Sequence, residues 1–74
     1  MEEKINQILV DTLKVSVDKT SEDLTMDDVE NWDSLTHMNL IVAIEDELKI
    51  ELSGDDIAEM ISFNAIKSII IKYY

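Results

Sequence analysis

The sequence contains no cysteine, no proline and a single glycine, Gly54. Without cysteine the chain can form neither a disulfide framework nor a thiolate metal site. One glycine excludes a glycine-rich phosphate loop and a dinucleotide-binding fingerprint, because both need several glycines at fixed spacing. No apolar run approaches the roughly 18 residues of a membrane-spanning helix, so we expect no membrane span.

Basic residues are also scarce: 6 Lys and Arg stand against 17 Asp and Glu, which gives a net charge of −11. Such a chain lacks the cationic surface that displaces counterions from nucleic acid, so we expect no nucleic-acid partner. The acidity is concentrated in residues 21–59, which contain 13 acids and only one basic residue, Lys49. This region either is a solvated surface that keeps a small protein soluble or steers cationic partners towards it.

The 74 residues correspond to one small domain, which we assign to residues 1–74. Apolar residues make up 46% of the chain, too many for a disordered acidic tail. The start, Met1-Glu2-Glu3-Lys4, has neither the basic end nor the apolar stretch of a signal peptide, so we expect a cytoplasmic protein. The high charge favours a monomer. So thin a core leaves little room for an active-site cleft.

The first segment has the apolar spacing of a helix. One face is formed by residues at i, i+3, i+4, i+7 and i+8: Ile5, Ile8, Leu9, Thr12 and Leu13. The pattern fades after Val15. Residues 17–32 show no sustained period, and we expect an ordered loop because long loops in small domains are usually functional. Five spaced apolar residues are predicted to pin this loop across the core: Val17, Leu24, Met26, Val29 and Trp32.

A second helix is predicted to begin at Asp33 or Ser34, either of which can act as its N-cap, and to end at about Lys49. It carries two apolar stripes. The first stripe consists of four aliphatic residues: Leu40, Ile41, Ile44 and Leu48. The second stripe consists of three residues: Leu35, Met38 and Val42. A surface helix normally has one apolar stripe, so either both are buried or one meets a partner. Periodicity alone favours burial of both.

Two further helices complete the chain. Ser53 and Asp56 resemble a capping box that begins a short helix of about two turns, and Ser62 can cap the last helix. The short helix is indicated by the spacing of three apolar residues: Ile57, Met60 and Ile61. The last helix is predicted to bury four: Phe63, Ile66, Ile70 and Tyr73. The expected fold is all-α, a small bundle of three longer helices plus one short helix.

Catalytic and metal functions are not supported. Asp33, Ser34 and His37 are close in sequence, but a catalytic triad also needs an oxyanion hole and a substrate pocket. We therefore expect no catalytic residue and interpret His37 as a solvent-facing helical residue. The acids at 18–33 do not fit an EF-hand calcium loop, since position 6 would be Asp23 or Asp28 where that loop needs glycine. We expect no metal site.

The segment Asn31-Trp32-Asp33-Ser34-Leu35 precedes the second helix and follows a long acidic loop. A phosphate on Ser34 would lie at the positive end of the helix dipole, so this position suits a phosphodiester. The motif Asp-Ser-Leu, followed in register by residues 43–48 (Ala-Ile-Glu-Asp-Glu-Leu), resembles the attachment motif of acyl carrier proteins. The order of the predicted elements extends this resemblance to the whole chain.

The resemblance implies that Ser34 is esterified with 4′-phosphopantetheine, taken from coenzyme A by a phosphopantetheinyl transferase. The thiol of that arm then carries an acyl group as a thioester, which fits a chain without cysteine because the thiol belongs to the cofactor. The protein would be no enzyme. It would present acyl intermediates to the partner enzymes of fatty-acid or specialised biosynthesis, such as polysaccharide decoration or secondary metabolism.

The resemblance also assigns roles along the second helix. The second stripe would face partner enzymes, and an acidic rim would steer their basic docking surfaces. The implied docking residues are Asp33, Leu35, Met38, Val42, Glu45 and Asp46. The first stripe, Leu40, Ile41, Ile44 and Leu48, would line the core and any acyl cavity. Asp33 would also help the transferase, whereas Trp32 is interpreted as a loop anchor and Met38 alternatively as a core gap-filler.

Some positions depart from the housekeeping fatty-acid carriers. Asn31-Trp32 stands where those carriers usually have Gly-Ala, and uncharged Thr36 and Asn39 stand where they have acids. This leaves specialised pathways and ordinary fatty-acid synthesis both open, with an aminoacyl carrier, for example a D-alanyl carrier, as an alternative. A different class of function, a non-covalent acidic interaction module, needs no modified serine. Replacement of Ser34 by alanine would separate that module from a carrier.

Overall fold

The computed structural model describes residues 2–73. These residues contain four α-helices and one 3₁₀ turn, joined by loops. In chain order they are α1 (Glu2–Leu13), the 3₁₀ turn (Val17–Ser21), α2 (Ser34–Leu48), α3 (Gly54–Glu59) and α4 (Phe63–Ile71). The described residues form no strand, only an isolated bridge between Thr25 and Ser62. The predicted all-α bundle of three longer helices and one short helix is confirmed. No helix in residues 2–73 combines the length and apolar character needed to cross a membrane.

Helix α1 buries the predicted apolar face against α2. Ile5, Ile8, Leu9 and Leu13 are buried, whereas Thr12 is only half-buried. With no glycine available, the chain leaves α1 through Lys14, whose φ of 60° is in the left-handed region. The Lys14 backbone N–H donates to the carbonyl of Val10 at 3.0 Å, so the end of the helix is satisfied without a glycine C-cap.

The long connection from α1 to α2 is tied to the start of α4. The backbone N–H of Met26 donates to the Ile61 carbonyl at 3.1 Å, and that of Phe63 donates to the Leu24 carbonyl at 2.9 Å. Val29 and Trp32 are buried and Leu24 and Met26 half-buried, so these four residues anchor the loop as predicted. The prediction is wrong for Val17, which is 66% exposed at the start of the 3₁₀ turn.

The two apolar stripes of α2 differ in exposure. The first stripe, Leu40, Ile41, Ile44 and Leu48, is buried in the central core. The second stripe is exposed, so the interpretation that both stripes are buried is wrong: Leu35 is 74% exposed, Met38 50% and Val42 53%. Met38 is therefore not a core gap-filler. The helix ends at Leu48, where Lys49 adopts φ 57° and its backbone N–H donates to the Glu45 carbonyl.

Serine caps begin α3 and α4, as predicted. The Ser53 hydroxyl accepts from the Asp56 N–H at 3.1 Å, and the Ser62 hydroxyl accepts from the Ala65 N–H at 3.1 Å. Among the apolar residues predicted for α3, Met60 is buried, Ile57 is half-buried and Ile61 is 51% exposed. The prediction that Ile61 belongs to the short helix is wrong, because α3 ends at Glu59. The residues that α4 buries are Phe63, Ile66, Ile69 and Ile70, with Tyr73 half-buried beyond its end.

Candidate functional site

Ser34 is the first residue of α2, and its side chain is exposed. The residue before it, Asp33, is the N-cap: its carboxylate accepts from the Thr36 backbone N–H at 2.8 Å. The sequence left Asp33 and Ser34 as alternative caps, and the structure assigns the cap to Asp33. Because another residue caps the helix, the Ser34 hydroxyl is left over, and it has no hydrogen-bonding partner within residues 2–73.

The carboxylate of Asp33 is ionised at neutral pH. The hydrogen bond from the Thr36 backbone N–H, followed by one from the Thr36 side chain, lowers the pKa of Asp33 below its usual value of 3.8. The dipole of α2 favours a negative charge at the same place. The Asp33 carbonyl in turn accepts from the His37 N–H at 2.8 Å. The carboxylate and the backbone carbonyl of Asp33 are thus both hydrogen-bonded to the first turn of α2, which fixes the backbone just before Ser34.

A phosphate-linked group fits this position. Esterification of the Ser34 hydroxyl would break no hydrogen bond among the described residues. The new phosphodiester would lie at the N-terminus of a helix of 15 residues, where free backbone N–H groups and the helix dipole stabilise anions. Exposure of Ser34 leaves room for a long arm to extend into solvent. The site therefore satisfies the steric and electrostatic requirements of an attached phosphodiester.

Residues 33–36, where Asp33 caps the start of α2 around Ser34, are called the serine turn. Trp32 and His37 stand on either side of it in the sequence and are buried, 3% and 8% exposed. The Trp32 Nε1–H donates to His37 Nδ1 at 3.0 Å, and the Trp32 ring packs on Phe63 with centroids 5.8 Å apart. The predicted role of Trp32 as a loop anchor is confirmed. The prediction of a solvent-facing His37 is wrong, because both ring nitrogens are engaged inside the molecule, the second by the Ile57 carbonyl at 3.0 Å.

The contacts of the His37 ring also determine whether it can act as a base for Ser34. The His37 ring is held by Trp32 and Ile57, and no hydrogen bond joins it to Ser34 among the described residues. A nucleophilic serine needs a base within hydrogen-bond reach. Asp33, the third residue of the apparent triad, is hydrogen-bonded to the backbone of α2 rather than to the imidazole. The sequence proximity of these three residues therefore does not form a catalytic triad.

The acids near the second stripe are not equivalent. Asp46 is exposed, and within residues 2–73 its carboxylate forms neither a hydrogen bond nor an ion pair. Glu45 is half-buried, and its carboxylate accepts from the Leu52 N–H at 2.9 Å, which ties the connection after α2 back to that helix. Asp33 is occupied as the N-cap. Of the three acids predicted for docking, two therefore also stabilise the chain's own backbone.

Residue spacing contained a signal for His37 that the sequence interpretation missed. His37, Leu40, Ile41, Ile44 and Leu48 fall at i, i+3, i+4, i+7 and i+11, so the histidine continues the first stripe by one more turn. These five residues are the buried residues of α2. Polarity alone suggested exposure, but a histidine with both ring nitrogens hydrogen-bonded can lie in a core. The role of Glu45 as an acceptor for Leu52 had no such signal.

Comparison with known proteins identifies the family. Residues 3–69 match the family model described as phosphopantetheine attachment site. The acyl carrier protein of Buchnera aphidicola subsp. Baizongia pistaciae (strain Bp) is 36% identical over 74 residues, covering 99% of this chain and 94% of that protein. The acyl carrier protein of Nitratidesulfovibrio vulgaris (strain DSM 19637 / Miyazaki F) is 38% identical over 56 residues, covering 76% of this chain and 74% of that protein.

The family match extends over both the serine turn and the helices that support it. Acyl carrier proteins are carriers rather than catalysts. Their prosthetic group is 4′-phosphopantetheine, attached covalently, and the serine turn described above fits such a group. The chain belongs to the acyl carrier protein family and carries 4′-phosphopantetheine as its prosthetic group.

Proposed function

We propose that Ser34 is the attachment residue and that the protein carries acyl intermediates on the attached arm, presenting them to partner enzymes. The observation that supports this most directly is the exposed Ser34 hydroxyl, which is not needed as a helix cap because Asp33 caps α2. When bound, 4′-phosphopantetheine supplies a terminal thiol for an acyl thioester. The role of Ser34 is to hold the phosphodiester at the N-terminus of α2, where the helix dipole favours it.

The second stripe is proposed as the surface that meets these partners. Leu35, Met38 and Val42 are at least half exposed and follow Ser34 along one side of α2. An apolar patch beside a polar rim is the common arrangement of a protein interface. A phosphopantetheinyl transferase and the enzymes that load or use the acyl group would thus contact the helix that holds the arm.

Charge is proposed to guide the encounter. Asp46 is an exposed acid without a partner among residues 2–73, and Glu45 and Asp33 add negative charge nearby while holding the backbone. Acids on one side of an interface raise association rates with basic surfaces more than they raise affinity. The net charge of −11 supports the proposal that the protein is a monomer. Its proposed location is the cytoplasm.

The first stripe is proposed to line the acyl cavity. Leu40, Ile41, Ile44 and Leu48 are aliphatic and buried on the inner side of α2. An alkyl chain that entered the bundle would therefore exchange water for these side chains, with a gain of about 0.8 kcal/mol for each buried methylene group. This inner side is the natural place for an apolar cargo, whereas a polar aminoacyl cargo would gain nothing from it.

The partners are proposed to belong to fatty-acid or specialised biosynthesis, and the start of α2 restricts them. Thr36 and Asn39 are uncharged, so the exposed surface over the first turns of α2 is largely apolar and neutral. A partner that depends on acids close to the serine would bind weakly here. The discriminating measurement is the loading rate of the holo protein with enzymes of each pathway in parallel.

The attachment itself is tested by intact mass. Wild type, Ser34→Ala and Ser53→Ala are incubated with coenzyme A, magnesium and a broad-specificity phosphopantetheinyl transferase. Ser53 is the matched control, since it also stands at a helix start but caps α3 with its hydroxyl. One phosphopantetheine on wild type and Ser53→Ala, and none on Ser34→Ala, is the expected result. A phosphopantetheine mass gained by Ser34→Ala would refute Ser34 as the attachment residue. Binding of a basic partner by protein that is never modified would indicate the non-covalent acidic module.

A further inference from the structure

A chain of two hydrogen bonds links three segments beneath the serine turn. The Trp32 indole N–H donates to His37 Nδ1 at 3.0 Å, and His37 Nε2 lies 3.0 Å from the Ile57 carbonyl oxygen. Trp32 ends the long loop, His37 lies in the first turn of α2, and Ile57 lies in α3. Trp32 and His37 are 3% and 8% exposed, so water competes little for either bond.

The partners of His37 fix the state of its ring. An indole N–H is a donor only, so Nδ1 accepts and carries no proton. A carbonyl oxygen is an acceptor only, so Nε2 carries the proton and donates to Ile57. The ring is therefore neutral in the Nε2–H tautomer, with every polar atom satisfied. A side chain without both a donor and an acceptor cannot replace it here.

Helix α3 depends on such ties because its own packing is slight. It has six residues, none of which is fully buried, and Ile57 is its half-buried apolar residue. On one side, the Tyr73 hydroxyl donates to the Asp56 carboxylate and accepts from the Ser53 N–H at 3.2 Å. On the α2 side, the described hydrogen bond is the one from His37. A helix held by so few contacts belongs to the least stable part of a fold.

We propose that Trp32 and His37 are positioning residues that couple α3 to the serine turn, so that opening of α3 and loosening of the turn at Ser34 are linked events. The His37 ring contacts both segments, because it accepts from the indole of Trp32, the residue before Asp33, and donates to the Ile57 carbonyl. Linkage is reciprocal, so a partner that displaces α3 loosens the serine turn, and a partner that orders the turn stabilises α3. A role of this coupling in moving an attached acyl group would rest on the proposed attachment at Ser34, whereas the coupling itself does not.

Glutamine offers a conservative replacement for His37. Its amide oxygen and nitrogen are separated by one carbon, as Nδ1 and Nε2 are, so it can accept from Trp32 and donate to Ile57. Leucine fills similar space with neither function. Trp32→Phe keeps an aromatic ring against Phe63 but removes the indole N–H. Ile69→Val is the control, since it weakens the core on α4 away from this hydrogen-bond chain.

The test is amide hydrogen exchange by NMR on these variants, read at α3 and at residues 33–37. His37→Leu and Trp32→Phe are expected to raise exchange in both segments together by about tenfold, as for loss of a buried hydrogen bond. His37→Gln is expected to keep wild-type exchange rates and the wild-type chemical shift of the Trp32 indole N–H. Uniform acceleration like that of Ile69→Val, or acceleration in only one segment, would overturn the coupling. If His37→Leu does not fold, Trp32→Phe and His37→Gln decide between these outcomes.

Modification by the transferase is measured on the same samples by intact mass. It separates the two proposals, because exchange rates respond to the coupling in the unmodified protein. Linked exchange in a protein that is not modified at Ser34 supports the coupling and contradicts the proposed attachment. Modification at Ser34 with independent exchange in the two segments contradicts the coupling alone.

Discussion

Replacement of Leu35 by alanine is expected to weaken partner docking and leave the fold intact. Leu35 is 74% exposed, so its truncation removes little from the core and changes the free energy of unfolding by less than about 0.5 kcal/mol. Complete burial of a leucine side chain contributes about 1.5–3 kcal/mol. The exposed three-quarters leaves roughly 1–2 kcal/mol for a partner to gain, which corresponds to about a 5–30-fold change in Kd or KM.

The same truncation five residues further along, on the buried side of α2, provides the control. Leu40 lies on the first stripe of the same helix and is fully buried. Leu40→Ala is expected to lower the free energy of unfolding by about 2–5 kcal/mol, since it leaves a cavity. That loss is a large fraction of the total stability of a small domain. The two variants therefore separate an effect on docking from an effect on folding, with identical side-chain chemistry.

Thermal melts of both variants and KM for loading by the transferase make up the assay. Ile44→Val replaces Leu40→Ala if the latter does not fold, with an expected loss of about 0.5–1.5 kcal/mol. A KM for Leu35→Ala within twofold of wild type, for the transferase and for an acyl-loading enzyme alike, would refute the docking role of the second stripe. A melting point of Leu35→Ala as low as that of Leu40→Ala would refute the reasoning from exposure.

Three other predictions concern charge and helix ends. Asp46→Lys is expected to slow association with basic partners several-fold and to make the association rate less dependent on salt. Glu3→Lys on α1 changes the net charge equally and is expected to have a smaller effect. Stopped-flow measurements at two ionic strengths give the association rates of both variants. The pKa of Asp33 is lowered by the Thr36 N–H, so its contribution to stability is present above pH 3.8 and is lost as pH falls through the folded value. The Tm of wild type relative to Asp33→Asn, which keeps a cap, is therefore expected to be constant down to about pH 5 and to fall below 3.8; a constant difference throughout would contradict this. Gly54→Ala is expected to stabilise the protein by about 0.4–1 kcal/mol in urea melts, since a Cβ there meets no atom within 4 Å and the position is helical; a loss of stability would contradict it.

Helix starts were predictable because their signals are local. Asp33, Ser53 and Ser62 each accept a hydrogen bond from the N–H three residues later, a contact that needs no tertiary structure. The apolar face of α1 was predictable for the same reason, since a 3.6-residue period defines one side of a helix. The attachment at Ser34 came from the resemblance of Asp33-Ser34-Leu35 to a family motif, and it stays a prediction.

Exposure was harder to predict because it depends on what covers a surface. Both stripes of α2 have helical spacing, but α1 packs on α2 while Leu35 and Val42 remain exposed. Periodicity describes a face and not its neighbour. Ile61 shows the same limit, since α3 ends two residues before it and its carbonyl pairs with Met26. The spacing of His37 indicated its burial, but its ring partners, the Trp32 indole and the Ile57 carbonyl, are given only by the fold.

The acidic residues on and next to α2 have different roles, and this affects how partners are recognised. Asp33 and Glu45 hold backbone N–H groups, so Asp46 is the acid of the proposed docking set that is free among the described residues. It lies twelve residues after Ser34, about 18 Å along the helix axis. That separation exceeds the Debye length of about 8 Å at physiological salt, so charge at Asp46 acts little on a group at the serine itself. Apolar contact next to the arm and electrostatic steering at the far end are therefore separable, and salt is expected to change the association rate without changing how a bound partner engages the serine turn.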